Sequence, residues 1–362
     1  MMKNRFLTAI LVGMMFCFLT SAVFAQDKKP VILDADMVEL FDDGMAMLML
    51  ARSEEVELLG VTVVIGNTWV EDGTASALRQ LEGIGKEKEI PVYMGRNRTT
   101  RSGRFAALQA EQVLFGRGAD SHLGAAGYAQ PASWQDAYAA KFHRRPQSVP
   151  AADDAVDFII RTIKARPHEV TVVAIGTAAN LAAALQKAPE IAPLVKQVCY
   201  MGGAFFVGGN VMPAAEFNFW LDPEAARTAL RAPFGEQVIV PLDVCEKVHI
   251  TQTQFREISA RLHNPVFADM WQHHWMYPLL RDGAAFNNYV WDVIAAAIVI
   301  DPSLILEEEK CFVDINDTYS PSYGQSLAYR GAAPAGTQAA RIIKTVDEKR
   351  LWQMIYRVCD EL

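Results

Sequence analysis

The segment Val31-Ile-Leu-Asp-Ala-Asp-Met-Val-Glu-Leu-Phe-Asp-Asp43 constrains the fold more than any other stretch of the chain. Its apolar start lacks polar alternation and reads as a strand buried on both faces, while Met45, Met47, Leu48 and Leu50 beyond it read as a helix. Four aspartates, Asp34, Asp36, Asp42 and Asp43, therefore gather at the carboxyl end of a strand, the edge at which open α/β sheets bind ligands. Carboxylates crowded in this way repel one another unless a cation or captured protons relieve them. A hard divalent ion, Ca²⁺ or Mg²⁺, suits such an all-oxygen donor set. A solvated acidic turn with Asp42 or Asp43 as a helix N-cap accounts for the same residues without any ligand.

Strands and helices alternate through the rest of the chain. Further strands are expected at Val56–Val64, Ile90–Met94, Val170–Ile175, Gln197–Met201, Gln237–Pro241, near Cys311–Ile315 and at Ala340–Lys344. Helices are expected at about 70–85, 151–165, from Pro223, largely through 252–282, from Trp291 to Ile300 and from Glu348 to Cys359. Residues 96–150 break this rhythm and read as a long irregular loop of the kind used as a lid; His122, Trp134 and His143 fall there and read as surface loop residues. Polar residues recur at strand exits, at Gly66-Asn67, Gly176 to Asn180 and Asp243, and Gly202-Gly203 allows a ligand to lie against bare backbone. Asn210, Glu216 and Asn218 supply donors and acceptors suited to vicinal hydroxyls, though each alone is also an ordinary turn former. Asp292 opens a very apolar helix, where it suits either the positive end of the helix dipole or a metal. Without a break in composition, the pattern implies a single α/β domain, an open and mostly parallel sheet flanked by helices.

Residues 1–25 stand apart, because Lys3 and Arg5 precede the apolar run Phe6–Leu19 and the small-residue end Val23-Phe24-Ala25. This is the pattern of a secretory signal peptide cleaved after Ala25, leaving 26–362 as an exported domain with no membrane attachment; a periplasm is the natural destination. The formal net charge of −8 becomes −10 once Lys3 and Arg5 are removed. No basic block or basic-aromatic stripe offsets it, which argues against nucleic acid as a partner. The cysteines remaining after Cys17, at 199, 245, 311 and 359, are widely separated, so a thiolate zinc site is not expected, and Cys199 reads as a buried small hydrophobe.

Taken together, these motifs resemble the nucleoside hydrolases over nearly the whole mature length. The resemblance rests on Asp34-Ala-Asp36 with Asp42-Asp43, Gly66-Asn67, Gly176 to Asn180, Met201 to Ala204, Gly209 to Asn218, and Asp292, in that order. It implies a Rossmann-like nucleoside hydrolase fold and hydrolysis of the N-glycosidic bond of a ribonucleoside with a tightly held Ca²⁺. By position, Asp36, Asp43 and Asp292 would ligate the ion through carboxylates and Ala179 through its carbonyl, and Asp36 would take the proton of the attacking water. Asp42, Asn67, Met201, Asn210, Glu216 and Asn218 would hold the substrate. Dimers and tetramers are common in the resembled family, so a homo-oligomer is implied as well.

Two departures qualify the transfer. Five residues, Met37 to Phe41, separate Asp36 from Asp42 where the commoner pattern has three, so Asp42 and Asp43 are open to a register shift and Glu39 could join the site. Trp291 stands where many relatives have a histidine that protonates the leaving base. Trp-Asp after Leu280-Arg-Asp-Gly283 is similar to the purine-preferring branch, in which the indole stacks on the base; Phe105 or Trp134 is the expected opposite face. Two other readings compete. Ile32-Leu-Asp-Ala-Asp-Met-Val38 also fits the strand motif of haloacid-dehalogenase-like phosphatases, with Asp34 as nucleophile. The same pocket without catalysis would make an exported nucleoside- or ribose-binding protein.

Overall fold

The computed structural model describes residues 28–116, 122–284 and 289–362; the expected signal peptide lies outside them. Nine strands form one sheet: β1 (Lys29–Ala35), β2 (Val56–Val63), β3 (Val92–Met94), β4 (Thr171–Ala174), β5 (Gln197–Met201), β6 (Gln237–Val240), β7 (Ile305–Ile315), β8 (Ser326–Tyr329) and β9 (Gln338–Val346). Their order is β3-β2-β1-β4-β5-β6-β9-β7-β8. Neighbours run parallel from β3 through β6 to β9, whereas β7 pairs antiparallel with both β9 and β8. The expected open, mostly parallel sheet in a single α/β domain is what forms.

The strand order reverses between β1 and β4, and a crevice opens at such a switch point beyond the carboxyl ends of the strands. The exit of β1 carries Asp34 and Asp36, and the exit of β4 leads into Gly176 to Asn180. Helices cover both faces. On one, Asp43–Arg52 packs against Asp292–Ile300, which is buried along nearly its whole length. On the other, Ala155–Ala165, Ala179–Lys187 and Pro223–Leu230 bury their apolar stripes. No described helix is long and apolar enough to cross a membrane. The four described cysteines are buried free thiols.

Residues 96–150 depart from the expected irregular loop. They contain helices Arg104–Phe115 and Trp134–Phe142 and a 3-10 turn at Gly124–Gly127. The first of these helices buries Arg104, Glu111 and Gln112 beside Leu108, and the second buries Ala137 and Tyr138 alone, so neither shows an apolar stripe in sequence. Strand β7 starts six residues earlier than expected because its first half is solvent-exposed, and the edge strand β8 has only the three-residue apolar run Leu327-Ala-Tyr329, too short to stand out.

The helix that begins at Asp292 ends against the start of the sheet. Lys29 on β1 donates through Nζ to the carbonyl oxygens of Val299 at 2.9 Å and Ile300 at 3.0 Å, a cation at the negative helix end. Replacing Lys29 by Met is expected to lower stability by about 1 kcal/mol, read as a lower urea midpoint with unchanged slope; an unchanged midpoint would show that the contact contributes nothing.

Candidate active site

A cavity of about 560 Å³ opens at the switch point, within the range of roughly 300–1,000 Å³ usual for small-molecule sites. It contains all seven residues expected to hold substrate: Asp42, Asn67, Met201, Asn210, Glu216, Asn218 and Trp291. Asp292 also lines it, while Asp36 and Asp43 lie fully buried beneath. Residues 250 positions apart thus meet at one place, where Asp292 N donates to Asp42 Oδ1 at 2.7 Å.

The carboxylate floor is held by backbone and bare glycine. Asp36 Oδ2 accepts a short hydrogen bond from Asn67 N. A Cβ on Gly66 would come within 1.9 Å of that oxygen, and one on Gly176 within 2.9 Å of Asp36 Oδ1, so both positions are restricted to glycine by close approach. Ala179, the expected carbonyl ligand, begins the buried helix that follows Gly176. Asp43 opens its helix, and Asp42 makes no side-chain cap bond, so the simple N-cap explanation of the aspartates does not hold.

Burial raises the pKa of every one of these carboxyls. Asp36 is pushed up to about 7. Asp43 and Asp292 are raised well above the usual range by burial and then by neighbouring carboxylates. Asp36 with Asp43, and Asp42 with Asp292, are close enough to share a proton. When they are ionised, Asp36 Oδ1 and both Asp43 oxygens have no hydrogen-bond donor among the described residues. No three described His, Cys, Asp or Glu side chains stand in a finished metal cage; the aspartates converge without closing on one point.

The rim of hydroxyl-binding groups has its own supports. Glu216 accepts from Asn218 N at 2.8 Å, Gly203 N at 2.9 Å and Phe219 N at 3.2 Å, and burial lifts it to about 7. Asn218 Nδ2 donates to the carbonyls of Ile175 and Met201, leaving its buried Oδ1 free. Asn210 Oδ1 accepts from Phe217 N at 3.0 Å, so its amide NH₂ remains for a ligand.

Three expectations need correction. Glu39 does not join the site, because its carboxylate pairs with Lys141 at 2.6 Å and accepts from Ser76 Oγ. Phe105 and Trp134 are not part of the cavity lining that includes Trp291; Phe105 packs against Trp69 at 5.3 Å, and Trp134 packs on the buried cluster beneath. His122 is the exposed loop residue expected, but not an idle one: it lines the cavity with Nε2 3.0 Å from Asn67 Oδ1 and its ring 4.8 Å from Phe217. Although the residue is exposed, enough protein surrounds its ring for desolvation to lower its pKa. Val38, Phe41, Ile175, Val211, Phe217 and Trp275 complete the apolar wall and were not expected as site residues. Phe217 lies between two expected residues, and that position was its one available signal. Asp34 is not placed as a nucleophile: it lies buried outside the cavity lining, with Oδ1 accepting from Thr62 Oγ1 at 2.6 Å and Asn180 Nδ2 at 2.7 Å.

Comparison with known proteins accounts for this arrangement. The family model described as inosine-uridine preferring nucleoside hydrolase matches residues 31–353. A probable uridine nucleosidase 1 from Oryza sativa subsp. japonica is 31% identical over 76% of this chain and 78% of its own. The pyrimidine-specific ribonucleoside hydrolase RihB of Escherichia coli is 26% identical, covering 91% and 96%. A solved purine-preferring ribonucleoside hydrolase from Gardnerella vaginalis shares the fold with a TM-score of 0.72 at 23% identity, covering 92% of this chain and 100% of that one. The chain belongs to the inosine-uridine preferring nucleoside hydrolase family, and is an enzyme of the glycosidase class that acts on ribonucleosides.

Proposed function

We propose that the protein hydrolyses purine ribonucleosides to free base and ribose, with Ca²⁺ held by Asp36, Asp43, Asp292 and the Ala179 carbonyl. The observation that carries this reading is the convergence of buried aspartates beneath a cavity with an aromatic wall. The donor set fits the ion: hard carboxylate oxygens, of which Asp36 Oδ1 and both Asp43 oxygens lack donors. When bound, Ca²⁺ supplies charge neutralisation and Lewis acidity to the attacking water. Asp36, fixed through Oδ2 by Asn67 N, takes the water's proton on Oδ1. Asp42, Asn67, Asn210, Glu216 and Asn218 orient the ribose hydroxyls and set negative charge near the sugar as it becomes oxocarbenium-like.

The base preference rests on Trp291, whose partly buried indole lines the cavity with Phe41, Phe217 and Trp275. The three relatives named above point both ways, the Oryza sativa and Escherichia coli proteins to uridine or pyrimidine nucleosides and the Gardnerella vaginalis protein to purines. The aromatic wall favours the larger ring system. Export rests on the pattern of residues 1–25 alone.

Calcium-loaded protein is expected to release base from inosine, guanosine and adenosine at kcat/KM values at least about tenfold above those for uridine and cytidine, the scale of ordinary hydrophobic pocket discrimination. Faster uridine turnover overturns the purine assignment; nucleoside binding without base release makes the protein a capture protein instead. Asp36→Asn is expected to lower kcat by about 10²–10⁴-fold with an unaltered circular dichroism spectrum, on the scale of a lost general base. Activity within a few-fold of wild type would remove Asp36 from its role.

The pH dependence follows from burial. Asp34, Asp36 and Glu216 have folded pKa values of about 6, 7 and 7 against ordinary values of 3.8, 3.8 and 4.5. The folded state binds more protons than the unfolded one across that window, so this stability is full below the unfolded values and is lost as pH rises through the folded ones. Chelator-treated protein is therefore expected to melt at a lower temperature at pH 8 than at pH 5, with added calcium closing the gap. A metal-free melting temperature that rises over this range would contradict the assignment.

A further inference from the structure

The segment Met37 to Phe41, longer by two residues than the commoner spacing, has to be folded away for Asp42 and Asp43 to stand beside Asp36. Buried Thr68 donates through Oγ1 to Asp36 O at 3.1 Å and Met37 O at 3.2 Å at its start, and one buried side chain holds the rest of it. Gln80, on the helix Val70–Gly83, accepts from Leu40 N through Oε1 at 2.9 Å. Its Nε2 donates to Val38 O and to Ser76 O, both at 3.2 Å, and lies 3.8 Å from Met37 Sδ. Leu40 is held at φ +45°, a left-handed conformation that costs a branched hydrophobic residue energy. At Gly44, one residue past the aspartates, a Cβ would lie 2.1 Å from Gln80 Oε1. The helix carrying Asp43 therefore sits against the Gln80 amide with no room for a side chain between them.

We infer that Gln80 is the positioning residue of the active site: its amide clasps the extended loop and thereby sets Asp42 and Asp43 against Asp36 and the cavity wall formed by Val38 and Phe41. Both ends of its amide are engaged by loop backbone, so each hydrogen bond fixes a different peptide of the turn. The Glu39 pair with Lys141 and Ser76 holds the outer side of the same loop, but it is partly exposed and weaker for that reason. The inference rests on the calcium reading above.

Gln80→Leu preserves bulk and removes both hydrogen bonds to the loop; Gly44→Ala leaves Gln80 intact and displaces its amide. Each variant is expected to bind calcium at least about tenfold more weakly by calorimetry, at a temperature well below melting. Each is also expected to lose about 10²-fold in kcat/KM at limiting calcium, the scale of an ångström of misplacement, with much of the activity regained in excess calcium. A role confined to global stability would lower the melting temperature without moving calcium affinity in the folded protein. Calcium affinity within threefold of wild type in a folded variant overturns the inference, as does failure of both variants to fold, which would make Gln80 a support of the fold and not of the site. Wild-type protein that binds no calcium sinks the functional reading itself, a result distinguishable from either.

Discussion

Mutual repulsion among buried carboxylates is the constraint around which the molecule is built. Asp36, Asp42, Asp43 and Asp292 are all raised by burial, Asp43 and Asp292 further by their carboxylate neighbours, and no described lysine or arginine pairs with any of them. Left ionised and unpaired, such a cluster would oppose folding. The protein offsets part of that cost locally. Asp43 and Asp292 occupy the first turns of two helices packed side by side, where the positive dipole ends favour negative charge. Asn67 N and Asp292 N donate directly to carboxylate oxygens. What these dipoles leave unsatisfied is a set of oxygens with the chemistry of a hard-cation site.

The sheet supplies the geometry that such a cluster needs. Only at the switch between β1 and β4 can two loops diverge and leave space above the strand ends. Gly66 and Gly176 then permit the β2 and β4 exits to close over Asp36 without side chains intervening. The division of the cavity follows from the same layout: the floor takes its charge from strand ends and helix starts, while the wall takes Trp275, Phe217 and Trp291 from later connections. A sugar needing both orientation and nearby negative charge, joined to a flat base, meets a complementary surface at each end.

The strands were legible because parallel strands buried on both faces leave continuous runs of Val, Ile and Leu, and their polar exits stood out against those runs. Asn67 and Asn210 were legible because each follows a bare glycine, whereas Glu216 and Asn218, flanked by Ala215, Phe217 and Phe219, were legible only through the Gly209 to Asn218 motif. Apart from Trp291, the aromatic wall was not legible. Phe41 packs at 5.3 Å against Trp271, and His122 reaches Asn67 across 55 positions, relations that no local pattern encodes. Phe105 misled because an aromatic residue in an irregular segment reads alike whether it faces a ligand or, as here, Trp69. The helix Arg104–Phe115 was hidden by its polar interior, where Arg104 pairs with Glu111 and donates to Trp220 O.

That interior pair bears on how the rim of the site keeps its shape. The helix Phe217–Leu221 has only five residues and cannot be stable by itself, yet it carries Asn218 and follows Glu216. Trp220 is gripped at both ends, its carbonyl by Arg104 Nη2 at 2.8 Å and its indole N–H by Glu111 Oε2 at 3.1 Å. A buried ion pair contributes little net stability, since desolvation cancels most of the attraction. It does fix direction, because each partner must find its one geometry. The segment least legible in sequence thus anchors the short helix on which the hydroxyl-binding residues depend, and the carboxylate floor and its rim are positioned by separate parts of the chain.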